Sequence, residues 1–183
     1  MTDNSEIQGL NVSDKYKFDR LTRWTKDLIK KDLQQNAFPY AVCMENWAGD
    51  FNLSSCIRAV NALGGSEMYY LGRKHYDKRG AVGTYNYTQV SHLSTREELL
   101  RLKEKYVLVG LENTVSNPQS LYDYTWDKNS LIIAGEEGIG ITPETLELCD
   151  KFVYIPQYGS VRSMNAAAAV SIALYDYTSK FKK

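Results

Sequence analysis

An α/β fold with a mainly parallel sheet flanked by helices is predicted by three features of this 183-residue sequence. Short apolar runs at Tyr40–Met44, Glu67–Gly72, Tyr106–Gly110, Leu131–Ala134 and Phe152–Ile155 alternate with helix-like stretches. The span Tyr40–Gly72 reads as one complete strand–helix–strand unit. Two late apolar runs each end in glycine and small polar residues, which points to a ligand site at the C-terminal edge of a parallel sheet.

The length favours one domain with a sizeable core. Basic and acidic residues balance, 22 against 22, so nothing pulls the whole chain toward nucleic acid. RNA binding would need a local basic surface. Cys43, Cys56 and Cys149 are far apart and match no metal-ligand spacing, and no metal site is expected. They read as free thiols of a cytoplasmic protein. No apolar run reaches membrane-spanning length and no signal-peptide core is present, so no membrane partner is expected. The fourteen tyrosines read mostly as amphipathic filler at core edges, with base stacking as the sharper alternative.

Residues 1–38 form a polar tail followed by an amphipathic basic helix. Leu21, Trp24, Leu28 and Leu33 recur near helical spacing, with Arg20, Arg23, Lys26, Lys30 and Lys31 on other faces. Asp19 can start this helix and Phe38-Pro39 stops it. It is either a solvated helix packed on the domain or one that meets RNA phosphates. Residues 39–183 form the main domain.

Asn52 is a good N-cap for a helix whose stripe is Leu53, Ile57, Val60 and Leu63, ended by Gly64-Gly65. Arg58 lies on that helix off the stripe. The segment after Gly72 is basic (Arg73, Lys74, Lys78, Arg79), then rich in Gly, Thr and Tyr, and reads equally as an RNA-binding surface or a long polar connection. His75 and His92 lack partners at metal or triad spacing. Ser94 and Thr95 begin overlapping capping boxes with Glu97 and Glu98. A short helix is expected at Gln119–Tyr122, another from Pro143 to Leu148, and a closing helix over Arg162–Tyr177.

The turn Gly135-Glu136-Glu137-Gly138-Ile139-Gly140 lacks the lysine of a phosphate loop, and two carboxylates would repel phosphate. It suits a ligand that brings hydrogen-bond donors and a flat ring, such as an adenosine, or is simply a tight turn needing glycine. Ser163 lacks a nucleophile elbow. Glu136 and Glu137 are neighbours that would point apart in one turn, which does not suit paired-carboxylate hydrolysis.

Three segments together resemble the SpoU/TrmH RNA 2′-O-ribose methyltransferases. Asn52-Leu-Ser-Ser-Cys-Ile-Arg58 with Ala62-Leu63-Gly64 is similar to the family's first motif, Leu131–Thr142 to the second, and Ile155-Pro156, Gly159 and Ser163-Met164-Asn165 with the helix to Tyr175 to the third. The resemblance covers about residues 40–178. It implies a SPOUT-type domain with a C-terminal trefoil knot, S-adenosyl-L-methionine as cofactor, and a homodimer acting on tRNA or rRNA. Gly135, Ile155, Met164 and Leu111 would bind the cofactor. Arg58 would be catalytic, with Asn52, Glu137, Ser163 and Asn165 as further polar members of the site. The family gives Arg58 the proton-accepting role. A guanidinium is always charged, so its chemistry also fits orienting the ribose or phosphate and stabilising an alkoxide. Glu137 then orients Arg58 or Asn52.

Two departures from the family stand out. Glu136 replaces a residue that is often neutral. The 38 residues before the main domain read as a tail and helix rather than as the separate RNA-binding domain of many relatives, so substrate grip is expected from Arg20, Arg23, Arg73, Lys74, Lys78, Arg79 and the partner subunit. The alternatives are methylation of another RNA atom by the same fold, and a knotted RNA-binding protein without turnover.

Overall fold

Alternate residues of the central strands face opposite layers, and this divides the core in two. The computed structural model describes residues 25–48, 51–65 and 67–181. In chain order the elements are α1 (Lys26–Asn36), β1 (Ala41–Asn46), α2 (Asn52–Ala62), β2 (Glu67–Gly72), β3 (Gln89–Leu93), α3 (Arg96–Arg101), β4 (Val107–Leu111), β5 (Gln119–Ser120), β6 (Ser130–Ala134), α4 (Pro143–Leu146), β7 (Lys151–Tyr154) and α5 (Ala166–Phe181). The strands form one sheet in the order β3-β2-β1-β6-β4-β7-β5, every pairing parallel.

On one face Val42, Met44, Met68 and Ile132 pack against Leu53, Ile57 and Val60 of α2 and Val170, Leu174 and Tyr177 of α5. On the other, Ala41, Cys43, Leu131 and Ile133 meet Leu99, Tyr106 and Leu108. Both faces are covered, which is why β1 and β6 read as continuous apolar runs rather than alternating ones. Each buried Leu or Ile contributes about 1.5–3 kcal/mol. The register is tied to this division, since a slip of one residue would exchange the two faces. No disulfide joins Cys43, Cys56 or Cys149, and Cys43 and Cys56 are buried. Burial, then the Asp150 carboxylate beside it, pushes the Cys149 thiol up to about 12 against the opposing effect of Lys103.

Several expectations change. The basic-helix residues Arg20 and Arg23, like Asp19, Leu21 and Trp24, lie outside the described residues; helix α1 runs from Lys26 and is capped by Thr25, whose Oγ1 accepts from Leu28 N. None of its residues is buried. Asn52 does not cap α2: it is the first helical residue, behind Phe51, and its amide is used elsewhere. The polar stretch after Gly72 holds an additional edge strand, β3, whose residues Val90, Ser91 and His92 are only half-buried. A weak alternation on an edge strand is hard to tell from a loop. Gln119–Tyr122 is not helical; Gln119–Ser120 pairs with β7, and Leu121 N donates to Tyr154 O at 2.8 Å. Of the two overlapping capping boxes, the Thr95–Glu98 pair forms one at the start of α3. The closing helix starts at Ala166 rather than Arg162, because Asn165 Oδ1 accepts from Ala168 N at 3.1 Å.

Candidate functional site

The parallel sheet brings the C-terminal ends of β1, β6, β4 and β7 side by side, and the loops leaving them converge. Three of these loops deliver the site. Asn52 follows β1, Glu137 follows β6 and Asn165 follows β7. Asn52 Nδ2 donates to Glu137 Oε2 at 3.1 Å. Asn165 Nδ2 donates to Asn52 Oδ1 at 2.8 Å and to Glu137 Oε2 at 3.3 Å. One carboxylate oxygen therefore holds two amides, one of which also caps α5. Asn52 is buried, while Glu137 and Asn165 open to solvent.

The two adjacent carboxylates do point apart. Glu136 is buried and its Oε1 accepts from Ala48 N, which fastens the glycine turn to the loop after β1. The turn itself is a tight closure in which Glu136 and Gly140 exchange backbone hydrogen bonds, at 3.2 and 2.9 Å. Gly135 is required there, because a Cβ would overlap the backbone of Gly140 and Ile141.

Further supports were not evident from the sequence. Glu45 is almost fully buried at the end of β1, in a stretch that reads as the start of a polar turn. Its carboxylate accepts from Thr142 N at 2.8 Å, Thr142 Oγ1 at 2.6 Å and Thr145 Oγ1 at 2.6 Å, so it seats the far end of the glycine turn. Arg96 donates to the same two threonine hydroxyls, and its guanidinium lies 5.5 Å from the centroid of the Trp47 ring. Glu112, directly after β4, accepts from Asn113 N and Thr114 N through Oε1, and from Ile141 N through Oε2 at 3.4 Å. The only sequence signal for these carboxylates is their position at the C-terminal end of an apolar strand.

The remaining predicted residues divide by place. Leu111, Gly135 and Ile155 stand at or just after the ends of β4, β6 and β7, with Gly135 buried and the other two half-buried. Met164 is half-buried and Ser163 exposed in the segment leading to Asn165. Arg58 is not in the amide–carboxylate cluster. It lies further along α2 than Asn52 and is exposed, and its side chain makes no hydrogen bond or ion pair among the described residues. Arg73, Lys74, Lys78 and Arg79 are exposed around the turn after β2. Among the described residues no group of three or more His, Cys, Asp or Glu is placed to hold a metal ion. None of the described helices is long and apolar enough to cross a membrane.

Comparison with known proteins converges on one family. The tRNA (guanosine(18)-2′-O)-methyltransferase of Escherichia coli strain K12 is 28% identical over 139 residues, 74% of this chain and 61% of that protein. The chain thus spans less than two thirds of that relative's length. The crystal structure of the Aquifex aeolicus TrmH/SpoU tRNA modifying enzyme superposes with a TM-score of 0.74 at 22% identity, covering 85% of this chain and 81% of that one. The SpoU methyltransferase AviRb from Streptomyces viridochromogenes, solved in complex with the cofactor AdoMet, gives a TM-score of 0.70 at 25% identity, covering 77% of this chain and 57% of that one. The model of the SpoU rRNA Methylase family matches residues 39–175, most of the chain and all three segments that carry Asn52, Glu137 and Asn165, and the chain belongs to that family.

Proposed function

We propose that this chain transfers a methyl group from S-adenosylmethionine to a ribose 2′-hydroxyl of tRNA or rRNA, acting in the cytoplasm as a homodimer. The observation that carries this reading is the Asn52–Glu137–Asn165 cluster. It takes one residue from each of three segments far apart in sequence and locks them by side-chain hydrogen bonds at the sheet's C-terminal edge.

The surrounding loops fit the methyl donor. Gln157 Oε1, beside Ile155-Pro156, is buried with no hydrogen-bond partner among the described residues, so it suits a ligand that brings N–H groups. Added Cβ atoms at Gly138 and Gly159 would meet nothing within 4 Å, so both turns leave open space beside the backbone. In this reading Gly135, Ile155, Met164 and Leu111 hold the cofactor largely through main-chain groups. When bound, S-adenosylmethionine supplies a methyl group on a sulfonium that needs no further activation.

The chain's own work is positioning and charge. Asn52, held by Glu137 and Asn165, orients the ribose, so that oxygen and methyl carbon meet in line. Arg58 stabilises the alkoxide character that develops as the 2′-oxygen gains the methyl carbon and loses its proton to solvent. Glu137 orients Asn52 rather than acting as base, since its Oε2 already accepts from two amides. Ser163 completes the polar wall. Arg20, Arg23, Arg73, Lys74, Lys78 and Arg79 meet the RNA. Residues 1–38 precede the methyltransferase domain, 39–183.

Two finer points belong to the same reading. The C-terminal stretch forms a trefoil knot, supported by the position of β6 between β1 and β4 and by the return of α5 onto α2. The partner copy covers the aromatic side chains of Tyr122, Tyr158 and Tyr175, which are largely exposed in the single chain. Mapping ribose methylation by mass spectrometry in RNA from cells with and without this protein tests the function. Loss of 2′-O-methylation at one or a few nucleotides is expected, and an unchanged map overturns it.

A further inference from the structure

Phe51 and Arg79 form an exposed stacking shelf next to the site. Phe51 immediately precedes Asn52, yet its side chain is buried in neither core layer and the residue is 50% exposed. The guanidinium carbon of Arg79 lies 5.0 Å from the centroid of the Phe51 ring, within cation–π range. Asp77 holds that guanidinium in place. Arg79 Nε donates to Asp77 Oδ2 at 2.9 Å and Nη2 donates to the same oxygen at 2.6 Å, while Arg79 N donates to Oδ1 at 2.9 Å. The turn bearing Arg79 is seated on the first turn of α2, so closely that a Cβ at Gly80 would overlap Ser54 Oγ. The shelf is therefore fixed relative to Asn52.

Its chemistry is that of a surface for flat rings. The charge of Arg79 is already matched by Asp77, which weakens its pull on a phosphate. What remains outward is a guanidinium with 79% of its side chain exposed, over an aromatic ring. Such planes stack on nucleobases without regard to sequence. A similar pair stands nearby, with Lys78 Nζ 5.4 Å from the Tyr85 ring centroid, and exposed Arg73 and Lys74 provide cations for a nucleic-acid backbone. We propose that Phe51 and Arg79 bind an unpaired nucleobase of the RNA, within about one nucleotide of the ribose held at Asn52. This rests on the RNA-substrate reading above.

The test is a pair of binding measurements by fluorescence anisotropy with the full chain. One probe is an unstructured RNA oligonucleotide; the other is an abasic ribose-phosphate strand of the same length. Phe51→Ala is expected to weaken the base-bearing strand about tenfold and leave the abasic strand unchanged, the scale of one lost base–aromatic stack. Arg79→Lys, which keeps charge but loses the plane, should act in the same direction, and Phe51→Trp should restore binding. Equal losses on both strands, no loss in Phe51→Ala, or a wild type that does not prefer the base-bearing strand overturns the proposal. A Phe51→Ala chain that changes from dimer to monomer by light scattering and loses both strands alike assigns the ring to the subunit interface instead. Binding is read without turnover, so absent methyl transfer in the wild type would count against the enzymatic reading alone.

Discussion

Asn165 donates from Nδ2 to Asn52 Oδ1 at 2.8 Å, joining side chains 113 positions apart in sequence. The same residue caps α5 through its Oδ1. Its two roles can be separated. Asn165→Ala removes both, and should cost about 1–2 kcal/mol in urea denaturation. Asn165→Asp keeps a capping oxygen but can no longer donate to Asn52 or Glu137, and it sets a second carboxylate against Glu137. It should retain most of the stability and lose most of the methyl transfer. An Asp variant with full activity would show that the amide bonds do not matter to the reaction.

The glycine turn makes a sharper contrast. Gly135→Ala would force a methyl group into the backbone of Gly140 and Ile141, so several kcal/mol of stability and cofactor binding should be lost together. Gly138→Ala faces open space, and its only penalty is its φ of +90°, about 1 kcal/mol. Thermal unfolding and calorimetric titration with S-adenosylmethionine check both. Equal effects of the two substitutions would mean that the tight closure of the turn is unimportant.

How much of this was legible beforehand depends on the kind of signal. The core strands announced themselves because burial on both faces leaves apolar runs such as Leu131–Ala134. The residues of the amide–carboxylate cluster were also legible, since Asn52, Glu137 and Asn165 each sit in a motif. Their mutual bonds were not, because nothing local relates Asn52 to Asn165. The edge strands β3 and β5 were missed for a physical reason. Half-buried and short, they carry no strong periodicity, and β5 follows the Asn117-Pro118 break that reads as a helix entry. Glu45 and Glu112 were overlooked because a carboxylate at a strand end usually belongs to a solvated turn, and only the fold shows what it accepts.

Acid sensitivity should be traceable to Glu67. Burial works to raise its pKa, but it is outweighed by donation from Lys105 Nζ, Tyr106 OH and Tyr69 OH, so the carboxyl is held below its ordinary value. A folded-state pKa below the unfolded one contributes stability above about pH 4, which is lost as the pH falls through the folded value. Because Lys105 is half exposed, the ion-pair part is below about 1 kcal/mol. Glu67→Gln should therefore lower the urea midpoint at pH 7, and the gap to wild type should close toward pH 3. A gap that persists or widens in acid would assign the stabilisation to another group.

The most direct measurement follows the methyl group itself. The purified chain is incubated with methyl-labelled S-adenosylmethionine and unmodified tRNA and rRNA transcripts, and the RNA is then hydrolysed in alkali. A methylated 2′-oxygen cannot attack the adjacent phosphate, so label on ribose survives in an alkali-resistant dinucleotide. Label in that product is expected with wild type. At least a hundredfold less is expected with Arg58→Ala, at unchanged S-adenosylmethionine affinity, which is the scale of losing one charge-stabilising donor. Label recovered on a base, no transfer at all, or full transfer by Arg58→Ala would contradict this expectation.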